Sequence, residues 1–198
     1  MVEDKENWRV KPMVGLGQLK FGMTSKQVDG LSSIYGPVIS RRADRISDSI
    51  LEETLAKFGN KLTEERKQQL IELYKKKGPP ADSITESRGN DQRLMLSYKA
   101  DQLVEIMAVK DTTKLDFDGI SVFEANPRDL IRHISKSLDE IPIAKDDAVV
   151  FQKHCIYLYK FLRETFVDEV DESDRSFSWR ATPEQGGVDL STYKKLVL

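Results

Sequence analysis

The amino-acid sequence predicts an α+β domain in which helices pack against one antiparallel sheet, with a helical hairpin inserted into it. The clearest β signal is a pair of apolar runs, 93–98 and 103–109, that flank a short turn at hairpin spacing. Two other segments carry helix-start signals followed by apolar residues at helical spacing. Because the spacing is that of hairpins and not of βαβ units, we expect an antiparallel rather than a doubly wound sheet.

The first helix is expected over 24–35, after a short strand. Thr24 and Gln27 have the spacing of a capping box, in which each side chain binds the backbone amide of the other residue. Gly36 suits a left-handed C-cap, and Pro37 cannot continue a helix. The glycines before the helix are interpreted as turns, since no Gly-Lys pair or βαβ frame follows to indicate a phosphate loop.

The charged segment 46–77 is predicted to form the inserted helical hairpin. Ser49 followed by Glu52 is a second capping-box match, and Thr63 opens the second helix. The next stretch, 78–92, is polar and rich in loop formers, which predicts a flexible loop. A basic run precedes the hairpin: Arg41, Arg42 and Arg45. We interpret it as a solvated approach to the helix, with contact to a phosphate or an acidic partner as the alternative.

The second half of the chain is predicted to complete the sheet and to supply the second packed helix. Asn126 and Pro127 form a helix start, so a helix is expected over 127–138. His133 lies off its apolar stripe and is interpreted as a surface side chain. The strands expected here are 119–123, 148–151, 155–162 and 177–179, and the tail 188–198 is expected to dock as a last strand or short helix.

Length and composition favour one domain in a reducing compartment. The chain has 198 residues, a formal net charge of −2 and a single cysteine, Cys155, which leaves no internal disulfide framework. The near-neutral charge argues against a general nucleic-acid binder. The charged N-terminus is unlike a signal peptide, and no run of about 18 apolar residues could span a membrane. We therefore expect a single cytoplasmic domain over 1–198, with no direct nucleic-acid or membrane partner.

No motif in the sequence indicates catalysis. His154 and Cys155 are the only neighbours that could act as base and nucleophile, but adjacent residues of a strand point to opposite faces. Pairing of Cys155 with the distant His133 would depend on the fold. The two histidines lack metal-ligand spacing, and no phosphate loop, EF-hand or hydrolase motif occurs. We therefore expect no enzyme, no metal site and no cofactor.

The most uneven feature of the sequence is its charge. Residues 139–174 contain ten Asp or Glu and four Lys or Arg, a local net of −6, whereas 41–77 have a local net of +3. Five of these acids form one run: Asp168, Glu169, Asp171, Glu172 and Asp174. An uneven charge of this kind steers a charged partner, so we predict an acidic face that binds a basic protein surface. The alternative is a solvated loop between two strands.

The segment GLGQLKFGMTSKQVDGLSSIYGPV, residues 15–38, resembles a pattern of small bacterial proteins, G-x-L-x-F-G-M-[ST]-x-x-x-V with a closing Gly-Pro. The pattern recurs in immunity proteins of polymorphic and contact-dependent toxin systems. A similar helix entry occurs in β-lactamase-inhibitor and outer-membrane assembly lipoproteins. The phrases 98–106 and 118–123 also resemble the immunity-type architecture. The resemblance implies a helix packed on an antiparallel sheet and a protein that occludes a cognate toxin domain. From the residues alone, a small enzyme or ligand-binding protein is the alternative.

Overall fold

The computed structural model describes residues 2–59, 61–162, 174–183 and 190–197. Its helices are α1 (Val2–Asn7), α2 (Ser25–Asp29), α3 (Ser32–Tyr35), α4 (Asp48–Phe58), α5 (Glu64–Lys77) and α6 (Pro127–Leu138). Its strands are β1 (Val10–Lys11), β2 (Gly15–Leu16), β3 (Leu19–Lys20), β4 (Val38–Ala43), β5 (Ser83–Arg88), β6 (Leu94–Lys99), β7 (Gln102–Val109), β8 (Asp116–Phe117), β9 (Ile120–Ser121), β10 (Ile143–Lys145), β11 (Ala148–Phe151), β12 (Ile156–Tyr159), β13 (Ser176–Arg180) and β14 (Lys194–Lys195).

One antiparallel sheet of nine strands organises the described residues, and it confirms the predicted α+β class. The strand order is β14-β10-β11-β12-β13-β7-β6-β5-β4. Strand β13 (Ser176–Arg180) lies at the centre of the sheet. It pairs with β12 on one side and with β7 on the other, and so joins the strands β10–β12 to the strands β4–β7. The predicted hairpin at 93–109 is confirmed. Its two-residue turn has positive φ at Ala100 (50°) and Asp101 (56°), as a type I′ turn requires.

The predicted strand 119–123 does not join this sheet. Ile120–Ser121 pairs instead with Asp116–Phe117, as a separate two-stranded hairpin. The reason is local, because Asp118 (φ 50°) and Gly119 (φ 89°) fold the chain straight back. Asp-Gly is the residue pair that such a turn favours, so the sequence did carry this signal.

The predicted helix over 24–35 is two short helices, α2 and α3. Its start is confirmed, because the Thr24 amide donates to Gln27 Oε1 at 2.8 Å and the Gln27 amide donates to Thr24 Oγ1 at 3.3 Å. The helix is interrupted at Gly30, a weak helix former. Gly36 has the predicted positive φ (76°), but its ψ of 168° is not that of a left-handed cap.

The predicted flexible loop over 78–92 contains a strand of the main sheet. Ser83–Arg88 is β5, which lies between β4 and β6, and its Glu86 and Arg88 are fully buried. A strand that buries charged side chains has no apolar pattern, so composition predicted a loop. Arg41 and Arg42 were likewise expected in a solvated segment that leads into the helix, and they lie instead on strand β4.

The helical hairpin is confirmed as α4 and α5, with one correction to its start. Ser47, and not Ser49, is the N-cap of α4, because Ser47 Oγ accepts from the Ile50 amide at 3.3 Å. Thr63 caps α5 as predicted, accepting from the Arg66 amide at 3.3 Å. Asn126 and Pro127 start α6, also as predicted.

The hydrophobic core lies between one face of the sheet and a cover made by α6, the short helices and the small sheet β1–β3. Helix α6 buries the predicted stripe of Leu130, Ile131 and Ile134. Trp179 of β13 is fully buried and donates from its indole nitrogen to the Gly15 carbonyl at 2.9 Å, which ties the small sheet to the large one. Within the described residues, no helix has the length and apolar character needed to cross a membrane.

Candidate functional site

The predicted acidic face lies largely outside the described residues. Asp168, Glu169, Asp171 and Glu172 fall within the segment 163–173, so the acidic face stays a prediction. Asp174 is described, and its carboxylate pairs with Lys160 Nζ at 2.5 Å. This hydrogen bond raises the pKa of Lys160. Asp174 therefore already has a partner within the chain.

His154 and Cys155 lie in the turn before β12, which begins at Ile156, one residue later than the predicted strand 155–162. His154 Nδ1 lies 2.7 Å from Glu140 Oε2, so the imidazole is paired with a carboxylate. The thiol of Cys155 is fully buried, with the Gln152 carbonyl 3.9 Å from its sulfur. Burial, and next the charge of Glu140, raise the pKa of Cys155, which disfavours the reactive thiolate.

His133 is half-buried on α6 rather than fully exposed. Its Nε2 lies 3.9 Å from Asp118 Oδ2, and its ring meets that of Phe117 edge-on, with 6.4 Å between the ring centroids. His133 thus lies close to a carboxylate of the β8–β9 turn. The described residues contain no cluster of three or more His, Cys, Asp or Glu that could hold a metal ion.

The most unusual part of the structure is the connection between β4 and β5, residues 44–82, which we call the arm. It contains α4 and α5, and none of its described side chains is buried; Gly59, which has no side chain, is its only buried residue. The apolar stripes of the two helices pack against each other and stay half-buried: Leu51, Leu55, Leu70, Ile71 and Tyr74. None of the described side chains of the arm therefore belongs to the core of the domain.

Contacts at its base hold the arm in place. The Asp44 carboxylate accepts hydrogen bonds from the hydroxyls of Ser83 and Thr85 on β5. The Arg45 guanidinium lies 5.5 Å from the centre of the Tyr74 ring, and the Tyr74 hydroxyl accepts from the Ile46 amide at 3.0 Å. These contacts give the arm a defined start and end on the sheet, and both its helices are capped.

The arm and β4 together expose apolar side chains. Among the described residues, half of the exposed large hydrophobic side chains lie on this part of the chain: Val38, Ile39, Ile46, Ile50, Leu62 and Leu73. Ile50 and Leu73 are 53% and 50% exposed. Single exposed apolar residues are ordinary, whereas six of them within the one continuous segment 38–73 mark that segment as a candidate binding site.

Strand β4 adds an edge of the sheet to this surface. All six of its residues are exposed, and it is the outermost strand on its side. The Asp44 amide donates to the Ser83 carbonyl at 3.0 Å, which makes residues 44 and 83 a hydrogen-bonded pair. Since such pairs alternate along an antiparallel ladder, Arg41 and Ala43 direct their backbone amide and carbonyl groups outward. A free edge of this kind can accept a strand from another protein.

A buried ionic network holds β4 against the rest of the domain. Arg88, fully buried, donates from Nε to Glu86 Oε1 at 2.9 Å, from Nη2 to Asp29 Oδ1 at 2.6 Å and from Nη1 to the Val28 carbonyl at 3.0 Å. Arg41 of β4 donates to the other oxygen of Glu86, at 3.0 Å from Nε, and this contact raises the pKa of Arg41. The network joins the edge strand to β5 and α2.

Tyr98 of β6 completes this network. Its hydroxyl lies 3.5 Å from Glu86 Oε1, and burial, followed by the charge of Glu86, raises the pKa of Tyr98 well above its usual value. Every oxygen of Glu86 thus has a donor.

Comparison of the chain with family models, curated proteins and solved structures found no match.

Proposed function

We propose that this protein acts by binding a partner protein, and that the arm and β4 form the contact. The observation that carries this proposal is that residues 44–82 fold into two capped helices without burying a described side chain in the domain. Isolated helices of this length are marginal in water, because most helical stability comes from tertiary packing of the apolar face. A partner that covers the exposed apolar side chains supplies that packing.

The size of this surface suits a specific complex. Helices of 11 and 14 residues are about 16 and 21 Å long, and a six-residue strand is about 20 Å long. A partner that covered all three elements would bury on the order of 800 Å² of this chain, which is a typical contribution of one partner to a stable interface. Residues 41–77 carry a local net charge of +3, so the matching surface of the partner is expected to be apolar with an acidic rim.

We further propose that the partner is a toxin domain, which this protein neutralises by occlusion. The support for this narrower step is the resemblance of residues 15–38 to immunity proteins, together with a surface built for binding. In this role the protein performs no chemistry itself. The arm blocks the toxin's access to its substrate, and the affinity of this protein for the toxin determines how completely the toxin is inhibited.

The test combines photocrosslinking with protection from toxicity. Proteins encoded next to this chain's gene are tested as candidate toxins. The photoreactive residue p-benzoylphenylalanine replaces Ile50 or Leu73 in the full-length chain. Tyr159 is the matched control, since it is 47% exposed and lies five strands from β4, roughly 24 Å away. We expect crosslinks to the toxin from positions 50 and 73 and none from position 159.

The same surface should decide whether cells survive the toxin. Substitution of Ile50 and Leu73 by Asp should abolish protection in cells that express the toxin, because two charges would be buried in the contact. Tyr159→Asp should protect as the native chain does. Protection that survives the double substitution, or crosslinks from position 159 alone, would place the contact elsewhere. The predicted acidic run 168–174 is then the next surface to examine.

A further inference from the structure

We propose that a cleft at the C-terminal end of α6 is a binding site for a small phosphate-bearing polyanion. The cleft has a volume of about 700 Å³, within the range of small-molecule sites. Five parts of the chain form its walls: the second half of α6, the segment 139–143, β11, the turn between β11 and β12, and β14. It lies away from the arm, so this inference is independent of the proposed function.

The cleft gathers positive charge from separate elements. Arg132 and Lys136 lie one turn apart on α6, Lys153 lies in the β11–β12 turn, and Lys195 lies on β14. Arg132 pairs with Asp129 of its own helix at 3.0 Å. The ammonium groups of the three lysines make no hydrogen bond or ion pair within the described part of the chain. Like charges on one cleft repel, and a bound anion would relieve that repulsion.

The acidic residues of the cleft do not cancel this charge. Asp139 and Glu140 are its two carboxylates, against three lysines, since Arg132 is already paired with Asp129. Glu140 is buried, and both of its oxygens are engaged, Oε1 by the Lys153 amide at 2.8 Å and Oε2 by His154 Nδ1 at 2.7 Å. Glu140 therefore braces the β11–β12 turn against the end of α6, and it holds the backbone of Lys153 at the rim.

The walls of the cleft have a fixed shape. The Ser135 hydroxyl donates to the Glu140 carbonyl at 2.7 Å, and the Glu140 amide donates to the Ser135 carbonyl at 3.1 Å. Asp139 and Cys155, on opposite sides of the brace, have positive φ of 48° and 54°. Non-glycine residues in this conformation cost of order 1 kcal/mol each and persist where the surroundings require them. Such pre-organisation lowers the cost of binding a ligand.

The lining also indicates the chemistry of the ligand. Lysine ammonium groups act as point charges that suit phosphate oxygens without demanding a planar, bidentate partner. Val150, Ile141 and Ile143 add an apolar side to the cleft. A small molecule with two or more negative charges on phosphate groups and a compact apolar body fits these features.

The experiment uses pyrophosphate as the probe and isothermal titration calorimetry of the full-length protein at constant ionic strength. We expect saturable binding of one pyrophosphate per chain. The double substitution Lys153→Gln and Lys195→Gln should weaken it at least tenfold. The control is Lys57→Gln with Lys61→Gln, which removes the same charge from the arm and should change the affinity by less than twofold.

Three results would overturn the inference. They are a heat that does not saturate, equal weakening by the two double substitutions, and citrate binding as tightly as pyrophosphate. The first two results would mean that the measured heat comes from nonspecific attraction of pyrophosphate to the positive charge of the protein. The third would mean that the site binds carboxylates as well as phosphates. Because the substituted lysines are exposed, the fold should survive, and unchanged thermal unfolding of both variants checks this.

Discussion

Removal of the Glu86 carboxylate should destabilise the protein far more than its polar sequence context suggests. Glu86 is fully buried and accepts hydrogen bonds from Arg41, Arg88 and Tyr98. The change Glu86→Ala leaves the buried Arg88 guanidinium with Asp29 and one carbonyl as its remaining partners. Breaking a buried pair in this way costs about 3–5 kcal/mol, because an uncompensated charge stays in the interior.

Urea unfolding followed by tryptophan fluorescence measures this cost, since Trp8 and Trp179 are both buried. With a urea dependence of about 2 kcal/mol per molar, the midpoint should fall by about 1.5–2.5 M. Glu53→Ala, on the exposed face of the arm, is the control and should change the stability by less than about 0.5 kcal/mol.

A second variant tests the cause of the effect. Replacing both Glu86 and Arg88 by Leu should be less destabilising than Glu86→Ala, because no unpaired charge then remains in the interior. If Glu86→Ala lowers the free energy of unfolding by less than about 1 kcal/mol, the effect is no larger than that of an exposed ion pair. This result would refute the buried network.

Four further predictions concern the fold and its titratable groups. Thr24→Ala should cost about 1 kcal/mol in urea unfolding through loss of the capping hydrogen bond, and an unchanged midpoint would contradict that cap. Replacing residues 45–82 by Asn-Gly should leave the stability unchanged or raise it by up to about 2 kcal/mol, since the connection becomes much shorter and none of the described side chains that are removed is buried. A loss above about 2 kcal/mol would show that the arm packs on the core. Hydrogen bonds from Ser25, first from its side chain and next from its amide at 3.1 Å, lower the pKa of Asp101. Its contribution to stability should therefore be complete above the unfolded pKa and lost as the pH falls through the folded one, with an NMR midpoint below the usual Asp value. Cys155 should resist alkylation by iodoacetamide at pH 8 until the protein is unfolded, since burial raises its pKa; rapid labelling of the native protein, seen by mass spectrometry, would contradict this.

Local chemistry made much of the fold predictable from the sequence. The caps at Thr24, Thr63 and Asn126 depend on residues within three positions of each other, and all three form as predicted. The hairpin around Ala100 and Asp101 is equally local. Strand β5 was missed for the opposite reason. Its buried charges are stabilised by residues far along the chain, so no pattern within 78–92 revealed it.

The candidate site was harder to predict than the fold. The stripes of α4 and α5 have the same helical spacing as core-facing stripes, and the sequence cannot distinguish packing on the sheet from packing on a sister helix. The sequence did single out the hairpin as an insertion. It could not show that the arm buries no described side chain in the domain, because burial is a property of the whole fold.

The most direct test of the central claim is the affinity of the proposed partner, the candidate toxin domain, for the chain in which Asn-Gly replaces residues 45–82. This change removes the arm and keeps β4, β5 and the ionic network, so the variant should remain folded. If the arm carries the contact, the dissociation constant should rise at least 100-fold, a loss of about 2.7 kcal/mol. A dissociation constant within threefold of the native value, measured on a folded variant, would contradict the account.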